Sequence, residues 1–157
     1  MRILIIEDNP QDRELLTFAL QEHFKTEAKF REAPDLQSAH GFLSRGNVDC
    51  IILDLNLPDS SGIDTFLHVY TAYPNIPIVI VTHNSNLELA KQMVRTGAED
   101  YILKDFTNTT VLFRRVLFAV ERNQRNRSRL MSKPPATEPA PPPVDEPVPD
   151  TLPSTKS

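Results

Sequence analysis

The sequence predicts an α/β fold, a doubly wound five-stranded parallel sheet with five helices. Three observations predict it. Four short apolar runs and one run that alternates with charges are separated by stretches whose apolar residues recur at helical spacing, giving the order βαβαβαβαβα. The central runs, such as Ile51-Ile52-Leu53, are continuously apolar rather than alternating, as in strands covered on both faces. The central runs also stop abruptly at polar residues, which gathers the polar groups at one end of the sheet. Crossovers between neighbouring parallel strands are expected to be right-handed.

The first run, Ile3 to Ile6, ends in Glu7-Asp8. Asn9 can cap a helix and Pro10 suits a first turn, so residues 10 to 24 read as a helix carrying Leu15, Leu16, Ala19, Leu20 and Phe24. Ala28, Phe30 and Ala33 alternate with charges, as in an edge strand. Asp35 can cap a second helix with Leu36, Ala39, Phe42 and Leu43, ended by Gly46. The third strand, Cys50 to Leu53, stops at Asp54. Pro58-Asp59-Ser60-Ser61-Gly62 reads as a turn, followed by a helix with Ile63, Phe66, Leu67 and Tyr70. Ile76 to Val81 reads as the fourth strand, ending in Thr82-His83. Residues 86 to 96 form a fourth helix with Leu87, Leu89, Ala90, Met93 and Val94, closed by Gly97. Asp100 to Leu103 is a fifth strand, ending in Lys104. Thr107 or Asn108 caps a long last helix with Val111, Leu112, Val116, Leu117 and Val120.

A chain of 157 residues suffices for one domain with a proper core. A formal net charge of −4 argues against a nucleic-acid binder on overall electrostatics. Cys50, the lone cysteine, excludes an internal disulfide and suits a reducing compartment; at the head of an apolar strand it reads as an inert core thiol. Two acids interrupt the N-terminus before a secretory core forms, and no apolar run reaches membrane-spanning length. A soluble cytoplasmic protein is therefore expected. His23, His40 and His68 fall on separate helices with no ligand spacing and read as packing residues.

In a doubly wound sheet of order 2-1-3-4-5 the first and third strands are neighbours at the switch point. Glu7, Asp8 and Asp54 would then converge in one crevice, with Thr82 and Lys104 arriving from the fourth and fifth strands. Three carboxylates that close need a neutralising charge. A hard divalent cation such as Mg2+ supplies it, held by carboxylates, a backbone carbonyl and water. Such a constellation suits formation of an aspartyl phosphate, in which positioning and charge neutralisation carry the chemistry.

Glu7-Asp8, Asp54, Leu57-Pro58 through Gly62, Thr82, Gly97-Ala98 and Asp100 through Lys104, in this order and spacing, resemble the receiver domain of two-component response regulators. The resemblance covers residues 1–125 and implies a flavodoxin-like fold. It implies Asp54 as phosphoacceptor, Glu7 and Asp8 as Mg2+ ligands with the backbone carbonyl of Asn56, and Lys104 as phosphate binder. Thr82 would be the switch hydroxyl, and Tyr101 the aromatic that follows it. The donor would be a phospho-His on a sensor histidine kinase or phosphotransfer protein, and the chain an acceptor rather than an enzyme with a separate substrate.

Two departures stand out. Asp105 replaces the usual proline after the lysine. A non-prolyl cis bond costs about 2.5–4 kcal/mol, so this peptide is expected to be trans, with the aim of Lys104 in question and a negative charge added nearby. His83 replaces a small residue beside Thr82; its ring could shield a phosphoryl group on Asp54 from water.

Residues 126–157 read as a basic helix end, with Arg127 and Arg129 following Arg122 and Arg125, and then a proline-rich tail expected to be disordered. The bland reading of the arginines, cations suiting a helix C-terminus, is preferred to nucleic-acid binding. With no length left for a DNA-binding or catalytic domain, a single-domain regulator is expected. It would signal by contact with a downstream protein target or by relay of the phosphate. Leu89, Met93, Tyr101, Leu112 and Phe118 either mark that contact, a homodimer included, or belong to the core. Two alternatives use the same fold: a phosphorylation-independent scaffold, favoured by Asp105, and an aspartyl phosphatase, disfavoured because Asn56 stands where a second acid would assist.

Overall fold

The computed structural model describes residues 1–132, together with the isolated pair 154–155. Beyond Ser132 the proline-rich tail therefore lies, except for that pair, outside the described residues. Five strands, β1 (Arg2–Ile6), β2 (Lys29–Ala33), β3 (Cys50–Leu53), β4 (Ile78–Thr82) and β5 (Asp100–Leu103), form one parallel sheet in the order β2-β1-β3-β4-β5. The helices between and after them are α1 (Pro10–Phe24), α2 (Leu36–Leu43), α3 (Gly62–Ala72), α4 (Leu87–Thr96) and α5 (Thr109–Ser132). The predicted turn at 58–62 is a miniature ribbon in which Asn56–Leu57 pairs antiparallel with Ser60–Ser61.

Alternate residues of each apolar run feed two different cores, which is why the runs lack polar alternation. Ile3, Ile5, Cys50, Ile52, Val79 and Val81 face one layer, formed by α1 and α5 through Leu16, Leu20, Phe24, Leu112, Val116 and Val120. Leu4, Ile6, Ile51, Leu53, Ile78 and Ile80 face the other, formed by α2, α3 and α4 through Leu43, Phe66, Val69 and Met93. Burying each large apolar side chain contributes roughly 1.5–3 kcal/mol. Burial pushes the Cys50 thiol up to about 12, helped by the charges of Glu99 and Asp49, which makes it inert at neutral pH.

Local chemistry sets the element ends. Asn9 Oδ1 accepts from the Gln11 and Asp12 amides at 2.9 and 3.2 Å, and Asp35 caps α2 through the Ser38 amide at 2.6 Å. Asn108, rather than Thr107, caps α5, its Oδ1 accepting from the Val111 amide at 3.1 Å. β4 begins at Ile78, two residues later than predicted, because Tyr73 to Pro77 form a turn in which the Ile76 amide bonds to the Tyr73 carbonyl. The last helix stays regular through the basic stretch to Ser132.

Helix α4 is only partly buried. Of its five apolar positions only Met93 is fully buried, and Leu87 and Val94 face solvent. Leu103, Val111 and Phe118 are also exposed, whereas Met93 and Leu112 are core. The two readings of the apolar contact set thus divide: Phe118 is surface, Met93 and Leu112 are interior, and Leu89 and Tyr101 are half-buried.

Gly97 ends α4 with φ of 145° and lies so close to α3 that a Cβ would come within 2.5 Å of the Tyr70 ring. Gly41 sits inside α2 with open space around it. In urea unfolding, Gly97→Ala is expected to cost about 1–3 kcal/mol from backbone strain and overlap. Gly41→Ala is expected to add about 0.5–1 kcal/mol through helix propensity alone.

Candidate functional site

The register of the central strands builds the site. Ile6 pairs with Leu53, so Glu7 and Asp54, one residue further on, leave the sheet side by side. The Asp54 amide bonds to the Ile6 carbonyl at 2.9 Å, and the Glu7 amide to the Ala33 carbonyl at 3.0 Å. Both side chains are buried, Glu7 completely, while Asp8 is exposed. Carboxylate oxygens of Glu7, Asp8 and Asp54 lie within 4.8 Å of one another, close enough to share a cation.

Lys104 follows β5, two strands from β3, roughly 10 Å across the sheet. Its amide bonds to the Thr82 carbonyl at 2.9 Å and its side chain, only 2% exposed, reaches back over that distance. Nζ lies 2.6 Å from Glu7 Oε2, 3.0 Å from Asp12 Oδ2 and 3.1 Å from Asp54 Oδ2. Burial works against the ammonium charge, but the close contacts with the Glu7 and Asp12 carboxylates and the nearby Asp54 charge outweigh it and raise the pKa of Lys104.

Burial, aided by the Asp54 charge, pushes the Glu7 carboxyl up to about 7 despite the pull of Lys104 and the Asn9 amide. Oε2 is buried and receives no well-directed hydrogen bond; Lys104 approaches it only as an ion pair. An under-satisfied buried oxygen beside two further carboxylates fits the donor set of a hard divalent cation.

Thr82 is fully buried and its Oγ1 accepts from the Asn84 amide at 3.3 Å. The Asn84 carbonyl accepts from the Tyr101 hydroxyl at 2.7 Å. One residue of the β4–α4 loop thus joins the two predicted switch residues. Burial and the Asp54 charge both raise the Tyr101 phenol. Asn56, the predicted carbonyl ligand, has an exposed side chain in the ribbon just after Asp54. The Leu55 carbonyl between them is held by the Thr65 hydroxyl and the Gly62 amide, both at 2.9 Å.

Asp105 does not disturb Lys104. No peptide among the described residues is cis, so the bond after Lys104 is trans as expected. Asp105 is exposed, and its Oδ1 accepts from the Thr107 amide at 2.9 Å in a turn that opens α5. That contact lowers its pKa. The expected extra negative charge is therefore tied to the α5 entrance, and Lys104 still meets Asp54.

Sequence reasoning missed three residues. Asp12, on the first turn of α1, contacts Lys104 and also His83 Nε2, at 3.1 Å. Burial opposes its charge, but Lys104 and then His83 outweigh it and lower its pKa. Its signal was its place just after Asn9-Pro10, because helical side chains lean toward the N-terminus and hence toward the strand ends. Arg13 Nη1 bonds to the Glu7 carbonyl at 2.7 Å and steadies the acid pair. Thr65 gave no signal beyond being a polar residue on the buried face of a helix. His83, read as a shield for Asp54, turns its Nε2 to Asp12 and leaves its ring largely exposed.

A parallel sheet that brings carboxylates, a buried lysine and a threonine together at the carboxyl ends of its strands defines an α/β domain of the CheY type. The model of the response regulator receiver domain matches residues 3–116, and the chain belongs to that family. It is 31% identical to the response regulator protein PilR of Pseudomonas aeruginosa over 103 residues, 66% of this chain and 22% of that protein. It is 32% identical to the cell cycle transcriptional regulator CtrA of Caulobacter vibrioides over 136 residues, 85% of this chain and 55% of that protein. The chain thus spans only about a fifth to a half of these two relatives. A CheY-like receiver domain from Methanospirillum hungatei shares the fold with a TM-score of 0.69 and 20% identity, covering 80% of this chain and 97% of that one. No helix among the described residues is long and apolar enough to cross a membrane.

The Glu7 carboxyl titrates above its unfolded value, so the folded state holds its proton more tightly. Its burial therefore weakens folding as pH rises from about 4.5 to about 7. In chelator, Glu7→Gln is expected to gain stability relative to the parent across that window, by up to about 3 kcal/mol. A pH series of urea unfolding curves checks this; a difference that stays flat across the window contradicts it.

Proposed function

We propose that Asp54 accepts a phosphoryl group from the phospho-His of a sensor histidine kinase or phosphotransfer protein. An Asp54 carboxylate oxygen attacks phosphorus, the phosphorus–nitrogen bond breaks, and the departing imidazole takes up a proton. Water later cleaves the phosphorus–oxygen bond and releases inorganic phosphate. The observation that carries this reading is the convergence of the Lys104 ammonium, at 3.1 Å, and the Glu7 and Asp8 carboxylates on Asp54.

Each residue has a part in that transfer. Glu7, Asp8 and Asp54, with the backbone carbonyl of Asn56, would hold Mg2+. When bound there, Mg2+ supplies positive charge to a phosphoryl oxygen. Lys104 pairs with a second oxygen. Thr82 keeps its O–H proton to donate to a third, since its Oγ1 only accepts from Asn84. Movement of Thr82 toward the phosphoryl group would pull on Asn84 and alter the hydrogen bond to Tyr101. Tyr101 thereby reports the state of Asp54 to the face formed by α4, β5 and α5.

Residues 1–125 are read as the receiver unit. Its output would be contact with a downstream protein, or a homodimer, through the exposed Leu87, Val94, Leu103, Val111 and Phe118. A cytoplasmic location follows from the kinase partner.

Incubation with a small phosphodonor and Mg2+, read by intact mass, is expected to add one phosphate to the parent and none to Asp54→Asn. Lys104→Ala is expected to lose at least about a hundredfold in rate, the scale for one preorganised charge contact. An adduct that survives Asp54→Asn would move the acceptor elsewhere.

A further inference from the structure

Asp12 lies outside the set of residues that the resemblance assigns, yet it touches the buried ammonium of the site. A single oxygen, Oδ2, meets Lys104 Nζ at 3.0 Å and His83 Nε2 at 3.1 Å. It therefore joins three elements: the first turn of α1, the end of β4 and the end of β5. On its other sides Lys104 meets only Glu7 and Asp54 among the described residues.

These three carboxylates are not equivalent. Glu7 and Asp54 belong to the cluster that could hold a cation, and Asp12 does not. A cation bound there would draw on the same two carboxylates that hold Lys104, so the lysine would share both partners as the site becomes competent. A flexible four-carbon side chain then needs another anchor, because a buried ammonium without a partner is costly. Asp12 is the one anchor left among the described residues. Its carboxylate is itself oriented by His83, so the same oxygen receives two donors.

We propose that Asp12 is the positioning residue that keeps the Lys104 ammonium beside Asp54 when a divalent cation occupies the acidic cluster, and that His83 acts by holding Asp12. The inference rests on the phosphoacceptor reading for its kinetic consequence, though not for the placement of Lys104. Preorganisation of a charge contact removes a search from the transfer step. This role differs from shielding: a shielding ring acts whatever stands at position 12, whereas a ring that works through Asp12 needs it.

The test uses the full chain labelled with 15N-lysine, in saturating Mg2+. The buried Lys104 ammonium is expected to give a slowly exchanging NMR signal, assigned by its loss in Lys104→Ala. That signal is expected to vanish or shift in Asp12→Asn and to return in Asp12→Glu, which restores the charge. In parallel, phosphate uptake from a small phosphodonor is expected to fall about tenfold in Asp12→Asn, the size of one hydrogen bond to a charged group. His83→Ala is expected to slow uptake about two- to threefold in the parent, within the range for orienting one hydrogen bond, and to have no further effect in Asp12→Asn. An ammonium signal indifferent to Asp12→Asn overturns the positioning role, whether or not the chain takes up phosphate. Equal effects of His83→Ala in both backgrounds overturn the part given to His83. A parent that takes up no phosphate overturns the phosphoacceptor reading instead, and the ammonium signal still decides where Lys104 is held.

Discussion

The site depends on one buried ammonium. Lys104 carries its charge into a crevice where its side chain is almost wholly covered, and three carboxylates meet it there. Neither side is tolerable alone. A lone buried cation would be neutralised or expelled, and clustered carboxylates would repel one another or take up protons. Together they make a stable resting arrangement that still leaves Glu7 Oε2 poorly satisfied. That residual need gives a cation a reason to enter, and entry would loosen the hold on Lys104 beside the proposed acceptor, Asp54.

The fold makes this meeting possible by simple register. Parallel strands whose two faces feed two cores must be apolar along their length, so their polar residues collect at the ends. The β2-β1-β3-β4-β5 order then places the ends of β1 and β3 next to each other and the end of β5 within one lysine side chain of both. Small contacts hold the loops: Arg13 on the Glu7 carbonyl, Thr65 on the Leu55 carbonyl, and Asn84 between Thr82 and Tyr101. Each ties a strand-end loop to a helix or to a neighbouring strand, so a change at Asp54 has a physical route to the β5 face.

Much of this was legible in the sequence because strand ends are easy to read. Glu7, Asp8, Asp54, Thr82 and Lys104 each close an apolar run, and the switch-point rule brings such residues together. Asp12 was hidden because an acid in the first turn of a helix is the ordinary choice for the helix dipole. Only the lean of helical side chains toward the N-terminus pointed to the crevice. Asp105 misled in the opposite sense: sequence adjacency to Lys104 suggested a charge near the site, whereas its own Asx turn carries it to the start of α5. The apolar face of α4 could not be divided between core and contact surface from sequence, because periodicity reports which residues share a face, not whether anything covers it.

Magnesium affinity tests the central claim most directly. Lys104 and a divalent cation compete for the same carboxylates, so removing the ammonium frees them. Titration calorimetry on Lys104→Ala should find Mg2+ bound about tenfold or more tightly than by the parent, from relief of one close like-charge contact. An affinity equal to or weaker than that of the parent would mean that the lysine and the cation do not compete for these carboxylates, and the account of the site would fail.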